Sequence, residues 1–178
     1  MLAHPRPGAR GHLSDTQIES CGSPARTQQT VHVKEGTIGI RRATIDDLDG
    51  LQAIDVKVAA GDAERISAIR AYVSDGLCWV KSDQADLDGY AVLLPRHFFG
   101  RDFLELLMVS SFARRSGVAT RMLRALLSME GTGQVFSSTN RSNTPMRNLL
   151  AKEGWQFSGE LVGLDSDDPE MFFYTWRS

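Results

Sequence analysis

Apolar and polar positions divide the chain into segments of two different periods. From Phe103 to Val109 the residues read FLELLMV, an apolar run interrupted once, by Glu105. Such a run predicts a strand buried on both faces. From Val118 the period lengthens. Val118, Met122 and Leu126, and beside them Ala119, Leu123 and Leu127, form two rows on one helical face, and Gly131 supplies a stop. Upstream, Leu48, Leu51, Ile54 and Val58 predict one helix, with Thr44 as its cap, Asp47 completing the capping box and Gly61 ending it. Ile66, Ile69 and Val73 predict a second helix that stops at Gly76. Ile38, Ile40, Arg41 and Arg42 look like a first strand. Cys78 to Lys81 and Gly89 to Leu94 form two more, joined through residues 82–86, and residues 98–102 turn into the central strand. Downstream, Val135 and Phe136 open a strand that becomes polar at Ser137, Ser138, Thr139 and Asn140. Thr144 and Pro145 then read as cap and first residue of a helix that buries Met146, Leu149 and Leu150 and stops at Gly154. A hairpin follows, one strand from Gln156 to Leu164 and one from Met171 to Trp176.

Length and composition narrow the class. The 178 residues suit one domain and are enough to bury a core. A net charge of −2 gives no overall field for nucleic acid or anionic lipid. No apolar run is long enough to cross a bilayer, so no membrane partner is expected. Cys21 and Cys78 have no metal-site spacing and make no disulfide framework, which points to a reducing cytoplasm and to no metal. Residues 1–35 carry Pro5, Pro7, Gly8, Gly11, Gly22 and Pro24 among polar residues without an apolar period. They predict a disordered leader, which leaves 36–178 as the folded domain.

Between the central strand and its helix lies Arg114-Arg115-Ser116-Gly117-Val118-Ala119-Thr120. A strand running through a small-residue turn into a helix start offers unpartnered amides and the positive end of the helix dipole to an anion. Gly117 lets a ligand reach the backbone, Ala119 keeps the approach nearly as open, and the two arginines add charge. The bland alternative is a surface turn with two solvated arginines.

This stretch resembles the GNAT superfamily of N-acetyltransferases. The family's pyrophosphate motif is Gln or Arg, two residues, Gly, one residue, then Gly or Ala, and Arg114, Gly117 and Ala119 fall in register with it. The resemblance extends from Thr37 to Arg177. It implies an α/β fold: a mixed, mostly antiparallel central sheet of about seven strands flanked by about four helices. It implies acetyl-CoA as cosubstrate, with Met108 and Val109 at the positions that bond the pantetheine arm and residues 114–120 around the pyrophosphate. A second family motif, an Asn followed by a helix ending at Gly-Phe, is matched by Asn143, Gly154 and Trp155, so Asn143 is a further coenzyme candidate; alternatively it bonds only its own backbone. Where many members carry a Tyr that protonates the leaving thiolate, this chain has Leu150. Ser137, Ser142, Tyr174 or water are the substitutes.

The expected reaction is acetyl transfer to a primary amine, on a small molecule or a peptide, by direct attack in a ternary complex. An amine of pKa about 8 to 10.4 must first lose a proton. Glu105 is the candidate base, since it interrupts an apolar strand and is an even number of residues from Val109, on the same expected face. The alternatives are a strand-edge charge paired with Arg101, and His97 as base. Asp165, Asp167, Asp168 and Glu170 crowd the last turn; they would draw a cationic amine if they face the pocket, or simply form a solvated turn. Two other readings compete: a non-catalytic, coenzyme-A-binding regulatory module, supported by Leu150, and nucleic-acid binding through Arg114, Arg115, Arg121 and Arg124, which the net charge disfavours. The oligomeric expectation is a monomer or a homodimer.

Overall fold

The computed structural model describes residues 39–83, 86–129, 131, 133–165 and 167–177. The predicted leader and Ile38 lie outside the described residues. Seven strands form one sheet: β1 (Ile40–Arg42), β2 (Cys78–Lys81), β3 (Gly89–Phe98), β4 (Arg101–Val109), β5 (Gln134–Asn140), β6 (Gln156–Leu161) and β7 (Glu170–Trp176), in the spatial order β1-β2-β3-β4-β5-β7-β6. All neighbours are antiparallel except β4 and β5. Five helices are described: α1 (Leu48–Ile54), α2 (Val56–Ala59), α3 (Ala63–Ser74), α4 (Val118–Ser128) and α5 (Thr144–Lys152).

The helices divide between the two faces. The apolar rows of α4 pack with Leu150 of α5 against Ala91, Leu104, Val135 and Phe173. On the other face, Leu51, Val58 and Ile69 of α1–α3 pack against Val80, Tyr90 and Leu106. The apolar run of β4 therefore serves two cores, as its continuity predicts. Gly89 sits where α4 comes closest to the sheet. A Cβ there would lie 2.6 Å from the Met108 carbonyl oxygen and 3.2 Å from a Val118 methyl group.

Three local expectations are corrected. The single helix predicted from Thr44 to Gly61 is broken at Asp55, whose backbone is extended (φ −83°, ψ 113°). The apolar period runs on from Ile54 to Val58, but the fully buried Asp55 carboxylate accepts from the Lys57 amide (2.9 Å), Arg65 Nε (2.8 Å) and Tyr90 Oη (2.5 Å), and these bonds stop α1 and start α2. Asn143, not Thr144, caps α5, because its Oδ1 accepts from the Met146 amide at 3.3 Å. The first strand of the hairpin ends at Leu161 rather than Leu164.

β4 also carries a bulge. Val92 pairs with Leu106 and Leu93 with Leu104, so Glu105 is the extra residue. A bulge puts two successive side chains on one side and shifts the alternation beyond it.

Candidate functional site

The parallel pair is short. β4 and β5 are in register only from Asp102–Val135 to Leu104–Ser137. At the last rung the buried Ser137 hydroxyl donates to the Leu104 carbonyl at 2.9 Å. Beyond it β4 continues to Val109 with β3 alone, and β5 continues to Asn140 with β7 alone. Among the described residues, the strands diverge from this point, and the β4 edge around Met108 and Val109 has no strand partner on the β5 side. A gap at the carboxyl ends of two parallel strands is where an α/β sheet can admit a ligand.

The 114–120 turn lies at the mouth of this gap. Arg115 and Gly117 both adopt left-handed backbone (φ 62° and 82°) with extended Arg114 before them. The amides of Val118, Ala119 and Thr120 precede the first bond into α4, made by the Arg121 amide to the Gly117 carbonyl at 3.0 Å. Arg121 Nη1 braces the turn by donating to the Ser116 carbonyl (3.0 Å), and the Ser116 hydroxyl donates to the Ala113 carbonyl (2.7 Å). Arg114 and Arg115 are exposed, with Arg114 Nε 3.5 Å from the Val109 carbonyl. Free amides, two arginines and a glycine whose missing side chain leaves only Arg121 Nη1 near, 3.3 Å from where a Cβ would lie, form a cradle that suits a pyrophosphate. Arg124, by contrast, is held by Glu153 in a bidentate pair (2.7 and 3.2 Å), so the four arginines do not form one free basic stripe.

Glu105 lies on the opposite face from that expected. Val109 packs with the α4 core, whereas the negative charge of Glu105 acts on Tyr72 and Arg65, both from α3. The bulge is the cause, since it sets Glu105 and Leu106 together on the α1–α3 side. Among the described residues Glu105 forms no ion pair, so the alternative of a strand-edge charge held by Arg101 does not describe it. Burial and then the Glu105 charge raise the Tyr72 hydroxyl, against a lowering by Arg65. Burial alone would also raise the Asp55 carboxyl; the bonds from Tyr90 and Arg65, with the Arg65 charge, hold it below its ordinary range. Sequence reasoning missed Asp55, Arg65 and Tyr90. The one available signal was an Asp at a position where the helical row runs between Ile54 and Val58.

The remaining candidates have internal partners. Asn143 accepts from Met146 and donates from Nδ2 to the Thr139 hydroxyl (2.9 Å). Leu150 is fully buried in the α4–α5 core. Of the hydroxyls considered in its place, Ser137 donates to Leu104, Ser142 to Asp168 Oδ2 (2.5 Å) and Tyr174 to Gln156 Oε1 (2.5 Å). His97 is exposed, with its ring 6.4 Å from that of Phe103. In the last turn Asp165 accepts from Asn140 Nδ2 (2.7 Å) and Asp168 from the Ser142 amide (2.9 Å). Two of the acids thus clamp the turn to the β5–α5 loop.

The profile of the Acetyltransferase (GNAT) family matches residues 51–155. Among solved structures, an acetyltransferase of the GNAT family from Bacillus cereus is 34% identical over 78% of this chain and 96% of its own, with a TM-score of 0.71. An aminoglycoside 6'-N-acetyltransferase complexed with coenzyme A shares the fold at 14% identity, over 78% of this chain and 97% of its own (TM-score 0.64). So does yncA from Salmonella typhimurium, solved with acetyl-CoA, at 15% identity, over 78% and 93% (TM-score 0.60). No curated protein matches the chain.

Proposed function

The chain belongs to the acetyltransferase (GNAT) family, and from that premise we propose that it moves an acetyl group from acetyl-CoA to a primary amine by direct attack in a ternary complex. One observation carries the reading. β4 and β5 part after the Leu104–Ser137 rung, where Glu105, on the α3 face, is the next residue of β4 and the cradle at residues 114–120 follows that strand's unpaired end. Acetyl-CoA supplies the acetyl thioester. The amides of residues 116–120, with Arg114 and Arg115, hold its pyrophosphate, and the free β4 edge at Met108 and Val109 bonds its extended arm as a further strand would. Glu105 takes the proton that the ammonium must lose, directly or through a water. Asn143 fixes the start of α5 on β5 beside the divergence. No side chain is assigned to protonate the leaving sulfur. A thiol of pKa about 8.5 is a competent leaving group near neutral pH without one, which accommodates Leu150. Turnover of acetyl-CoA by the full chain with a panel of primary amines, read as free thiol, tests the proposal. Acetylated amine is the expected product. Tight acetyl-CoA binding with no amine acetylated would instead support a regulatory, coenzyme-binding module.

A further inference from the structure

The face that carries Glu105 also carries aromatic rings that belong to neither core. On β5 and β7, Phe136 stands opposite Tyr174 and Ser138 opposite Phe172, on the side away from Val135 and Phe173, which are buried under α4 and α5. The end of β3 bends across this surface. The Phe98 ring lies 5.1 Å from Phe136, 5.3 Å from Phe103 and 5.5 Å from Phe172, onto which it stacks. Phe99 meets Phe98 edge-on at 4.9 Å and is itself 89% exposed. Phe136 and Phe172 are only partly buried. The shelf begins next to Glu105, since Phe103 is two residues before it on β4 and Ser138, beside Phe172, is the first residue of β5 beyond the divergence.

Arg65 and Asp55 neutralise each other, and Asp165 and Asp168 are tied to Asn140 and Ser142. Among the described residues two carboxylates on this face form no ion pair, Glu105 on β4 and Glu170, two residues before Phe172 on β7. Glu105 matches an ammonium, and a protonated amine arriving over ring faces is favoured by their quadrupoles before Glu105 takes its proton. The aromatic surface matches an aromatic body, which stacks on it and removes apolar area from water.

On the reading of the protein as an amine acetyltransferase, we infer that its acceptor is an amine with a flat aromatic body, of the arylalkylamine class, seated on the Phe98–Phe136–Phe172 shelf with its nitrogen at Glu105. Glu105 takes one proton from the ammonium; the neutral nitrogen then forms the bond to the acetyl carbon, the carbon–sulfur bond breaks with its electron pair on sulfur, and the second nitrogen proton passes to that thiolate through water.

The test compares 2-phenylethylamine, n-pentylamine and 1,4-diaminobutane with the full chain and saturating acetyl-CoA. We expect kcat/KM for 2-phenylethylamine to exceed the other two at least about tenfold, the scale of one aromatic contact plus its burial. Phe172→Ala should raise the KM for 2-phenylethylamine about tenfold, with kcat and acetyl-CoA affinity little changed. Phe99→Ala, at a surface position where folding is not at stake, should raise it by a smaller factor. Preference for the diamine or the linear amine, or unchanged KM in folded variants at both positions, would overturn the inference while leaving amine acetylation intact. Acetyl-CoA binding without acetylation of any of the amines would overturn both.

Discussion

At the scale of single residues, the site depends on which way one glutamate points. A strict alternation along FLELLMV would have sent Glu105 to the side of Val109, under α4. The extra residue in β4 turns it to α3, where it meets Tyr72 and Arg65. Arg65 is 16% exposed and is itself fixed by the buried Asp55, which Tyr90 also holds, so the surroundings of Glu105 are rigid before any ligand arrives. If Glu105 accepts the amine proton, replacing its carboxylate with an amide removes the acceptor and almost nothing else. Glu105→Gln should then lower turnover at pH 7 by about a hundredfold or more, with acetyl-CoA affinity little changed. The defect should shrink as pH rises toward the amine pKa, because more of the acceptor is already neutral. Steady-state rates from pH 7 to 9.5 read this directly, and wild-type rates across that range would remove Glu105 from the mechanism.

At the scale of elements, the turn from β4 into α4 joins the sheet to the cradle. Gly117 has a φ of 82°, a conformation that costs an L-residue about 1–2 kcal/mol, and a Cβ there would lie 3.3 Å from Arg121 Nη1, which braces the turn. Gly117→Glu adds a side chain and a negative charge where the pyrophosphate is proposed to sit. Calorimetry on the folded variant should show no acetyl-CoA binding, and unchanged affinity would sink the coenzyme assignment. This part of the molecule was legible in the sequence because two periods abut there: a doubly buried strand, then the rows Val118–Met122–Leu126 and Ala119–Leu123–Leu127. The bulge was not legible, since it is a mismatch between β4 and the Val92–Leu93 step of β3 that neither strand carries alone. Nor was the break at Asp55, because the partners that end α1 come from Arg65 and Tyr90, ten and thirty-five residues away. The cap of α5 slipped by one residue because Asn143 and Thr144 are both good caps, and only the contact of Asn143 with Thr139 on β5 decides between them. The glycine at Gly89 gave a signal that was available but unread, since a glycine at a strand start marks a close backbone approach.

At the scale of the whole molecule, the sheet separates two tasks, with the proposed coenzyme cradle by α4 and the proposed acceptor shelf beyond the divergence of β4 and β5. Both depend on the outer helices staying docked, and two carboxylates hold the docking on the α1–α3 side. Asp47 joins the first turn to β1 by a bidentate pair with Arg41 (2.7 Å for each bond) and accepts from the Thr44 amide at 2.7 Å. Asp55 joins α2 and α3 to Tyr90 of β3. The Arg41 bond, then the Thr44 bonds, working against partial burial, hold the Asp47 carboxyl down at about 2, against an ordinary 3.8, and Asp55 is also held low. A folded-state pKa below the unfolded one means that the unfolded chain takes up protons first as pH falls. The stability these groups contribute is therefore complete above about 4 and is lost as pH falls through the folded value, near 2 for Asp47. Urea midpoints measured at pH 6 and pH 3 should show the native protein losing stability over that interval. In Asp47→Asn, which retains an acceptor for Thr44 but has no charge for Arg41, the midpoint at pH 6 should be lower and the loss between pH 6 and pH 3 smaller. The same loss in variant and native protein would place the acid sensitivity elsewhere than at the Arg41–Asp47 pair.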